Sequence, residues 1–203
     1  MRLASVLACA ACALAAQAQE FSCPTGASVH GEVPPNGFKR WCETPDGIQH
    51  GPSISFYPAG GPKAEATFDE GKLDGAFRLW HRNGQLAEEG NYVGDQHEGT
   101  FSTWSEDGAL LIVQEFVDGK RHGEVKQWHE NGQLRFAEHY VNGEKEGGAV
   151  AYFDNGQKEA EGQFRNGRFH GTWTGWYPDG GKRKIAEFVD GERVSIQTFP
   201  DEP

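Results

Sequence analysis

Glycine recurs every 24 residues through most of this 203-residue chain. A second glycine follows each by nine residues, and aromatic residues follow each by five and by seventeen. A fixed period of this length predicts a tandem array in which each unit covers the apolar surface of its neighbours. The glycines that open the six repeats are Gly51, Gly75, Gly99, Gly123, Gly147 and Gly171.

Each repeat has the pattern of two strands joined by two turns. In the fourth copy, residues 134–141 alternate between apolar and polar side chains, as in a half-covered strand, and residues 124–129 form a shorter strand before them. Asn131-Gly132 and Asn142-Gly143 mark the two turns. For the first turn we predict type I′, in which both central residues have positive φ. The first-turn glycines of the later repeats are Gly84, Gly108, Gly132, Gly156 and Gly180.

The predicted fold is all-β: an elongated single antiparallel β-meander of tandem 24-residue β-hairpin repeats. Phe77 and Trp80 are three residues apart, so either a β-bulge separates them or both faces of the sheet carry aromatic residues. We expect no pocket that is unique to one repeat. The predicted divisions are a signal peptide at 1–18, an irregular segment at 19–37, a degenerate half-repeat at 38–50, six repeats at 51–194, and a C-terminal cap and tail at 195–203.

The first residues have the pattern of an export signal. Arg2 precedes an apolar run at 3–15, and Ala16-Gln17-Ala18 fits a cleavage site, so cleavage is expected after Ala18. This pattern predicts a periplasmic or secreted protein. A lipoprotein with Cys9 or Cys12 lipidated is the alternative.

Two cysteines, Cys23 and Cys42, remain after that cleavage. In an oxidising compartment a single pair is most simply a disulfide, which here ties the N-terminal segment to the first half-repeat. Metal ligation is the other interpretation, but no neighbouring His or Cys completes a zinc set. We therefore predict a disulfide.

The repeat resembles the bacterial variant of the MORN repeat. The resemblance is carried by a Trp-x-x-Asn-Gly-x-Leu register, best seen at residues 80–86 and 128–134, and it covers residues 38–194. It implies protein scaffolding, in some members phospholipid contact, and a likeness to toxin–antitoxin system YwqK-family antitoxins. Export conflicts with a cytosolic antitoxin role.

The sequence favours a binding protein over an enzyme. Each distinctive residue is one of several copies, whereas an active site needs one asymmetric constellation, so we predict no catalytic, cofactor or metal site. His50, His122 and His170 share a register with Asp74, Glu98 and Glu146, which indicates a turn-supporting residue. A net charge of −11 argues against nucleic acid and anionic membranes.

The predicted interaction surface is a row of aromatic residues, one in the first strand of each repeat. Its predicted partner is a protein, for which a toxin is one candidate. Binding of envelope glycan or lipid by exposed aromatic residues is the alternative function, and a homodimer through the sheet edges is a third. The surface consists of Trp80, Trp104, Trp128, Tyr152 and Trp176.

Overall fold

A computed structural model describes residues 21–200, and this part of the chain forms one 15-stranded antiparallel sheet whose strands lie in chain order. This confirms the predicted all-β meander. No helix occurs in this range. The strands are β1 Ser28–Glu32, β2 Lys39–Glu43, β3 Gln49–Phe56, β4 Pro62–Asp69, β5 Lys72–Trp80, β6 Leu86–Val93, β7 Gln96–Trp104, β8 Leu110–Val117, β9 Lys120–Trp128, β10 Leu134–Val141, β11 Glu144–Tyr152, β12 Lys158–Arg165, β13 Arg168–Trp176, β14 Lys182–Val189 and β15 Glu192–Thr198.

Three predicted features lie outside the described residues. These are the signal peptide at 1–18, the lipidation alternatives Cys9 and Cys12, and the last three residues of the tail. They remain predictions.

The two turns of each repeat have different conformations, and the type I′ prediction for the first turn is wrong. All five predicted first-turn glycines have positive φ, but the Asn or Asp before each does not. The N–H of Gly84 donates to the carbonyl of His81, and the N–H of His81 donates to the carbonyl of Gln85. This is the three-residue hairpin in which a type I turn is followed by a left-handed glycine.

The second turn is the one with two left-handed residues. Asn142 and Gly143 have φ values of +52° and +90°, and Asp118 and Gly119 have values of +50° and +74°. Type I′ geometry therefore belongs to the turn that joins one repeat to the next. Both turns contain Asx-Gly, so the dipeptide alone does not distinguish them.

This difference between the turns predicts unequal effects for two matched substitutions. Asp118→Ala leaves a Cβ in the left-handed region but removes the short polar side chain that stabilises this conformation by local hydrogen bonding. The change should lower the free energy of unfolding by about 1 kcal/mol. Asp107→Ala, at the equivalent first-turn position, should change it by less than about half of that, because this residue has no positive φ. Urea unfolding of the two variants checks the ranking, and equal losses would contradict the turn assignment.

The strand pairing shifts register twice in each repeat. Trp80 pairs with Leu86 and Leu79 pairs with Glu88, so Ala87 is the extra residue. On the other side of the repeat, Gly99 lies at a second shift of register and has a φ of +73°. The extra residue Ala87 lies in β6, so β5 alternates without interruption from Phe77 to Trp80, and these two rings point to opposite faces. Of the two predicted alternatives, the second therefore holds: both faces of the sheet carry aromatic residues.

Successive side chains in a strand point to opposite faces, which defines two surfaces. The tryptophan face carries the residue five positions after each leading glycine, and the phenylalanine face carries those two and seventeen positions after it. Most of the buried side chains lie on the phenylalanine face, where Tyr92, Phe101 and Phe116 form edge-to-face pairs at 5.4 Å between ring centroids. The buried residues of this ladder are Ser53, Phe101, Val125, Tyr140, Ala149 and Ala186.

The size of facing residues is matched along the phenylalanine face. Phe101 lies over Gly90, where an added Cβ would approach its ring to 2.4 Å, and its exposed fraction is 1%. Trp173 lies over Gly162 in the same way, at 2.2 Å. Both glycines occupy the same register, and neither has positive φ. They are therefore small because a large ring covers them.

The predicted irregular segment at 19–37 needs correction, because it contains β1. β1 pairs along its whole length with β2, and Trp41 stacks on His30 at 6.0 Å between ring centroids. The half-repeat at 38–50 thus has a strand partner on each side. The sequence of β1 does not show a clear strand pattern, because the strand is short and contains Gly31, which has a φ of +75°.

The predicted disulfide is present and joins Cys23 to Cys42. Cys42 lies beside Gly51 and Pro24 and has an exposed fraction of 1%. The segment at 21–27 therefore lies against the tryptophan face of β2 and β3. It is the one described part of the chain that forms a second layer on the sheet.

The C-terminal end differs slightly from the predicted boundary. The cap that we place at 195–203 begins earlier, because β15 starts at Glu192 and pairs with β14. Ser195 stands where a leading glycine would stand, and the register shifts by one residue there instead of two. Ile196 consequently faces Ala186 in the row of the buried ladder.

Candidate interaction surface

The predicted aromatic row lies along the margin of the tryptophan face, next to the first turns. Each member is half-buried. Each is the last residue of its strand and pairs with the first residue of the following strand. In the middle repeats that partner is leucine, as in Trp80 with Leu86 and Trp128 with Leu134. Strands lie about 4.8 Å apart, so equivalent rings in successive repeats are separated by roughly 10 Å and leucines fill the intervals. We call this alternation the Trp–Leu stripe.

The stripe changes character towards the C-terminus. Tyr152 pairs with Lys158, and Trp176 pairs with Lys182. The ammonium group of Lys158 lies 5.7 Å from the Trp176 ring centroid and donates to Glu161. The Trp–Leu pairs are therefore confined to the second, third and fourth repeats.

Side chains next to the stripe connect successive repeats. The Tyr57 hydroxyl donates to the carbonyl of Trp80 at 2.6 Å, and His81 Nε2 lies 2.9 Å from the carbonyl of Trp104. His129 makes the same contact with Tyr152 at 2.8 Å. Each of these two histidines therefore fixes the backbone of the aromatic residue in the next repeat.

First-turn asparagines add a second connection. Asn83 accepts the N–H of Gln85 and donates to the carbonyl of Glu106 at 2.6 Å, and Asn131 repeats both bonds. Asp cannot donate, which explains why the Asp107 turn lacks this link. These bonds hold the stripe as a regular row.

The shared histidine and carboxylate register supports the second turns. Glu98 accepts the N–H of Asp118 at 3.1 Å, and Glu146 accepts that of Asn166 at 2.8 Å. His122 and His170 occupy the same place, and their Nδ1 atoms have no hydrogen-bond partner. The contacts agree with the turn-supporting interpretation for the carboxylates, whereas these two histidines make no hydrogen bond to the turn through Nδ1. Within residues 21–200, no three His, Cys, Asp or Glu residues are grouped to bind a metal ion.

A groove of about 880 Å³ opens on the tryptophan face at its N-terminal end. Phe21 forms one wall against the Arg40 guanidinium, which lies 5.3 Å from its ring centroid. Phe56 and Trp80 form the opposite side, where the groove meets the Trp–Leu stripe. The expectation of no pocket unique to one repeat is wrong, because the disulfide-bound segment adds a wall that the other repeats lack.

The floor of this groove is mixed in character. Ile54 and Ala76 are apolar, whereas Glu65 and Arg78 carry opposite charges. The Arg78 guanidinium lies 3.8 Å from the carboxylate of Glu89 on the next strand, so the two charges form an ion pair. The groove can thus take an apolar side chain or ring at its walls and a polar group at its floor.

A smaller and more open depression of about 500 Å³ lies over β9–β13 on the same face. The depression forms where Gly148 has no side chain, and Glu124, His139 and Thr172 surround it. It contains no member of the aromatic row. We therefore centre the candidate surface on the stripe and the N-terminal groove.

Two tyrosines on the phenylalanine face, the half-buried Tyr92 and the buried Tyr140, have altered acidity. Burial, followed by the Glu88 carboxylate, raises the pKa of Tyr92 above its ordinary value of 10.0. Burial, followed by Glu138, raises the pKa of Tyr140 in the same direction. Both phenols keep their protons when the unfolded chain has begun to lose them.

These tyrosines should make the fold weaker in alkali. The folded chain binds more protons than the unfolded chain once pH exceeds about 10, so stability is full below that value and falls as pH rises through the folded pKa. Tyr92→Phe with Tyr140→Phe should flatten this decline in urea unfolding between about pH 9 and pH 11. The lost hydroxyl bonds lower stability at every pH, so the slope is the test, and an unchanged slope would contradict the assignment.

The fold and its surface define a class: a single-sheet β-hairpin repeat protein with a row of half-buried aromatic residues along one margin. Three segments, at residues 49–70, 73–93 and 121–142, match the family model described as MORN repeat variant. The resemblance seen in the sequence is confirmed at these repeats. No curated protein matches the chain. MORN repeats generally serve as protein- or membrane-interaction modules. In residues 21–200 no helix has the length and apolarity to cross a membrane.

Proposed function

We propose that this chain is an exported, non-catalytic interaction module whose main partner is a protein. The single observation that carries the proposal is the Trp–Leu stripe, where the tryptophan and leucine side chains of three successive repeats lie in one row and continue into a groove. Aromatic side chains are the most frequent anchors of protein interfaces. A row held by hydrogen bonds between repeats is preorganised, which lowers the entropic cost of binding.

A pull-down from the envelope fraction of the source cell, with the whole chain as bait, tests the protein partner. Trp80→Ala with Trp104→Ala should reduce capture of a specific protein by at least about tenfold, as expected when interface anchors are truncated. Trp176→Ala is the control, because that ring lies in the lysine-flanked part of the stripe. Circular dichroism checks that each variant is folded. Absence of a captured protein, or equal loss with the control, would reject the proposal.

Export is a separate part of the proposal. It is supported by the sequence pattern at 1–18 and, weakly, by the disulfide, since disulfides persist in oxidising compartments. Expression of the full chain in the source cell should give a periplasmic or secreted product that begins at Gln19, measured by mass spectrometry. A product that keeps Met1 in the cytoplasm would reject export.

An immunity role is the finer form of the same proposal. A partner that is a toxin encoded next to this chain would fit an antitoxin-like module, provided that the two meet outside the cytoplasm. Co-expression with such a neighbour should restore growth, and Trp80→Ala with Trp104→Ala should abolish the rescue. No rescue by the unaltered chain would reject this role and leave the interaction module standing.

A second candidate function is binding of envelope glycan or lipid in the N-terminal groove. The observation that favours it is the combination of Phe21, Phe56 and Trp80 with Arg40 and Arg78 around one cavity. Aromatic platforms with a few polar groups suit sugars and lipid headgroups. Wall fragments or neutral lipid vesicles should then change tryptophan fluorescence, and no change at saturating amounts would eliminate this candidate.

A further inference from the structure

Three indole N–H groups of the Trp–Leu stripe have no acceptor in the part of the chain that the structure describes, and solvent reaches all three. Two other indoles donate internally, Trp41 to the Glu43 carboxylate and Trp173 to the carbonyl of Gln163. A row of free donors beside apolar side chains suits a partner that brings both apolar groups and unpaired acceptors. The free donors belong to Trp80, Trp104 and Trp128.

The spacing of the stripe favours one backbone conformation in a partner that lies along it. Equivalent rings of successive repeats are two strands apart, about 9.6 Å. A polyproline II helix presents the same side every three residues, or about 9.3 Å, whereas an α-helix does so every seven residues, or about 10.5 Å. A β-strand presents the same side at multiples of about 6.8 Å. Across the three tryptophans the mismatch is about 0.6 Å for polyproline II and about 1.8 Å for the α-helix.

The free indole donors favour the same conformation. A polyproline II helix has no internal hydrogen bonds, so its carbonyls can accept from a partner, whereas those of an α-helix are bonded within the helix. Between the rings, Leu86 and Leu110 give each interval an apolar floor on which a proline ring can pack. Aromatic rows with spare donors are the usual docking sites of proline-rich segments.

The first turns next to the stripe, from 57–61 to 177–181, form an acidic rim. Their carboxylates stand against one guanidinium, that of Arg82. All of these carboxylate residues are exposed, and within residues 21–200 none of them forms an ion pair. A partner on the stripe should therefore direct Lys or Arg side chains towards this rim. The rim consists of Glu106, Asp107, Glu130, Asp154 and Asp179.

We propose that the Trp–Leu stripe binds a basic, proline-rich segment of its protein partner in the polyproline II conformation. Proline rings pack between the tryptophans, main-chain carbonyls of the segment accept from the indole N–H groups, and its cations face the acidic rim. Each repeat takes one triplet of partner residues, so about nine residues cover the three tryptophans. This inference rests on the proposed function, since it names the chemistry of the partner.

Nuclear magnetic resonance of the whole, isotopically labelled chain tests the proposal, with a peptide of four Pro-Pro-Lys triplets as the probe. The indole N–H signals of Trp80, Trp104 and Trp128 should shift in a saturable way. Those of Trp41 and Trp173 should stay in place, because their hydrogens are already donated within the chain. Shifts of all five signals alike, or of none, would overturn the proposal.

Two peptides of equal length separate conformation from charge. Pro-Pro-Glu triplets keep the polyproline II conformation and reverse the charge, whereas Ala-Ala-Lys triplets keep the charge and favour a helix. Each should bind at least about tenfold more weakly than the Pro-Pro-Lys peptide. Equal binding of either peptide would overturn the proposal, and tighter binding of the Ala-Ala-Lys peptide would assign the stripe to a helical partner instead.

Matched charge removals test the acidic rim. Glu106→Gln with Glu130→Gln should weaken binding of the Pro-Pro-Lys peptide by about threefold or more at low salt, and by less at high salt. The turn is preserved, because the contact from Asn83 is to the main-chain carbonyl of Glu106. Glu144→Gln with Glu192→Gln removes the same charge beside the second turns and should leave binding unchanged. Equal losses in the two variants would contradict the role of the rim.

Failure of this inference and failure of the proposed function are distinguishable. A captured protein that depends on Trp80 and Trp104, together with no saturable shift by the Pro-Pro-Lys peptide, would overturn this inference and leave the interaction module standing. Shifts of the same indole signals when the chain is concentrated without peptide would show that a second copy covers the stripe. That result would also overturn the inference.

Discussion

Replacing Phe101 with alanine should lower the free energy of unfolding of the central repeats by about 3–5 kcal/mol, the usual cost of truncating a buried phenylalanine. Phe101 is 1% exposed and contacts Tyr92, His97 and Phe116. The ring also covers Gly90, so its loss uncovers the backbone of the neighbouring strand β6. Urea unfolding, with hydrogen exchange of β6–β8 as a local measure, gives the size of the effect.

Phe169→Ala is the matched control for this experiment. Phe169 packs against Phe164, Trp173 and Phe188, but 42% of it is exposed at the C-terminal end of the same face. Its loss should cost roughly half as much or less, since stabilisation scales with the apolar area removed from water. Equal costs for the two variants would show that the phenylalanine face is not the core.

Removal of the Cys23–Cys42 disulfide should lower the stability of the N-terminal end by about 3 kcal/mol, as expected for closing a loop of this length. The loop spans 19 residues, and the bond holds the segment at 21–27 against the tryptophan face. Cys23→Ser with Cys42→Ser should therefore increase exchange of the β1 and β2 amides and leave β9 and β10 protected. In a stack where each repeat contacts its neighbours alone, the effect should not spread further.

The same change should open the N-terminal groove. Phe21 forms a wall of that groove and is two residues from Cys23, so its release removes the wall. Any ligand that binds there should lose affinity in the double serine variant and in the reduced unaltered chain alike. A reducing agent should have no further effect on the variant. Unchanged exchange in β1 and β2 would show that the disulfide does not hold this segment.

Much of the fold follows from the sequence because the interactions that form it are local. A 24-residue period with Asx-Gly turns can bury its aromatic residues only against the neighbouring copies, and this determines an antiparallel meander in chain order. The aromatic row is likewise readable, since its members share one register. Cys23 and Cys42 are the two cysteines that remain after the predicted cleavage, and this suffices to predict that they pair.

The faces and the turn types required the tertiary structure. A bulge shifts alternation by one residue, and Ala87 resembles an ordinary strand residue, so the face that Leu86 shares with Trp80 cannot be read from spacing alone. Gly90 and Gly162 do contain a signal, because each stands one turn before a large ring. The signal has meaning only when the pairing of the strands is known.

The sequence by itself determined the repeat, the order of the strands and the disulfide, because these depend on residues that are near one another along the chain. Tertiary structure alone decided that the tryptophans share a margin with leucines and that the segment at 21–27 turns one end of that margin into a groove. The physical reason is that each of these depends on the summed register of many strand pairs and on contacts between distant residues. The period of the sequence gives the residues of each repeat, whereas the packing determines which residues cover them.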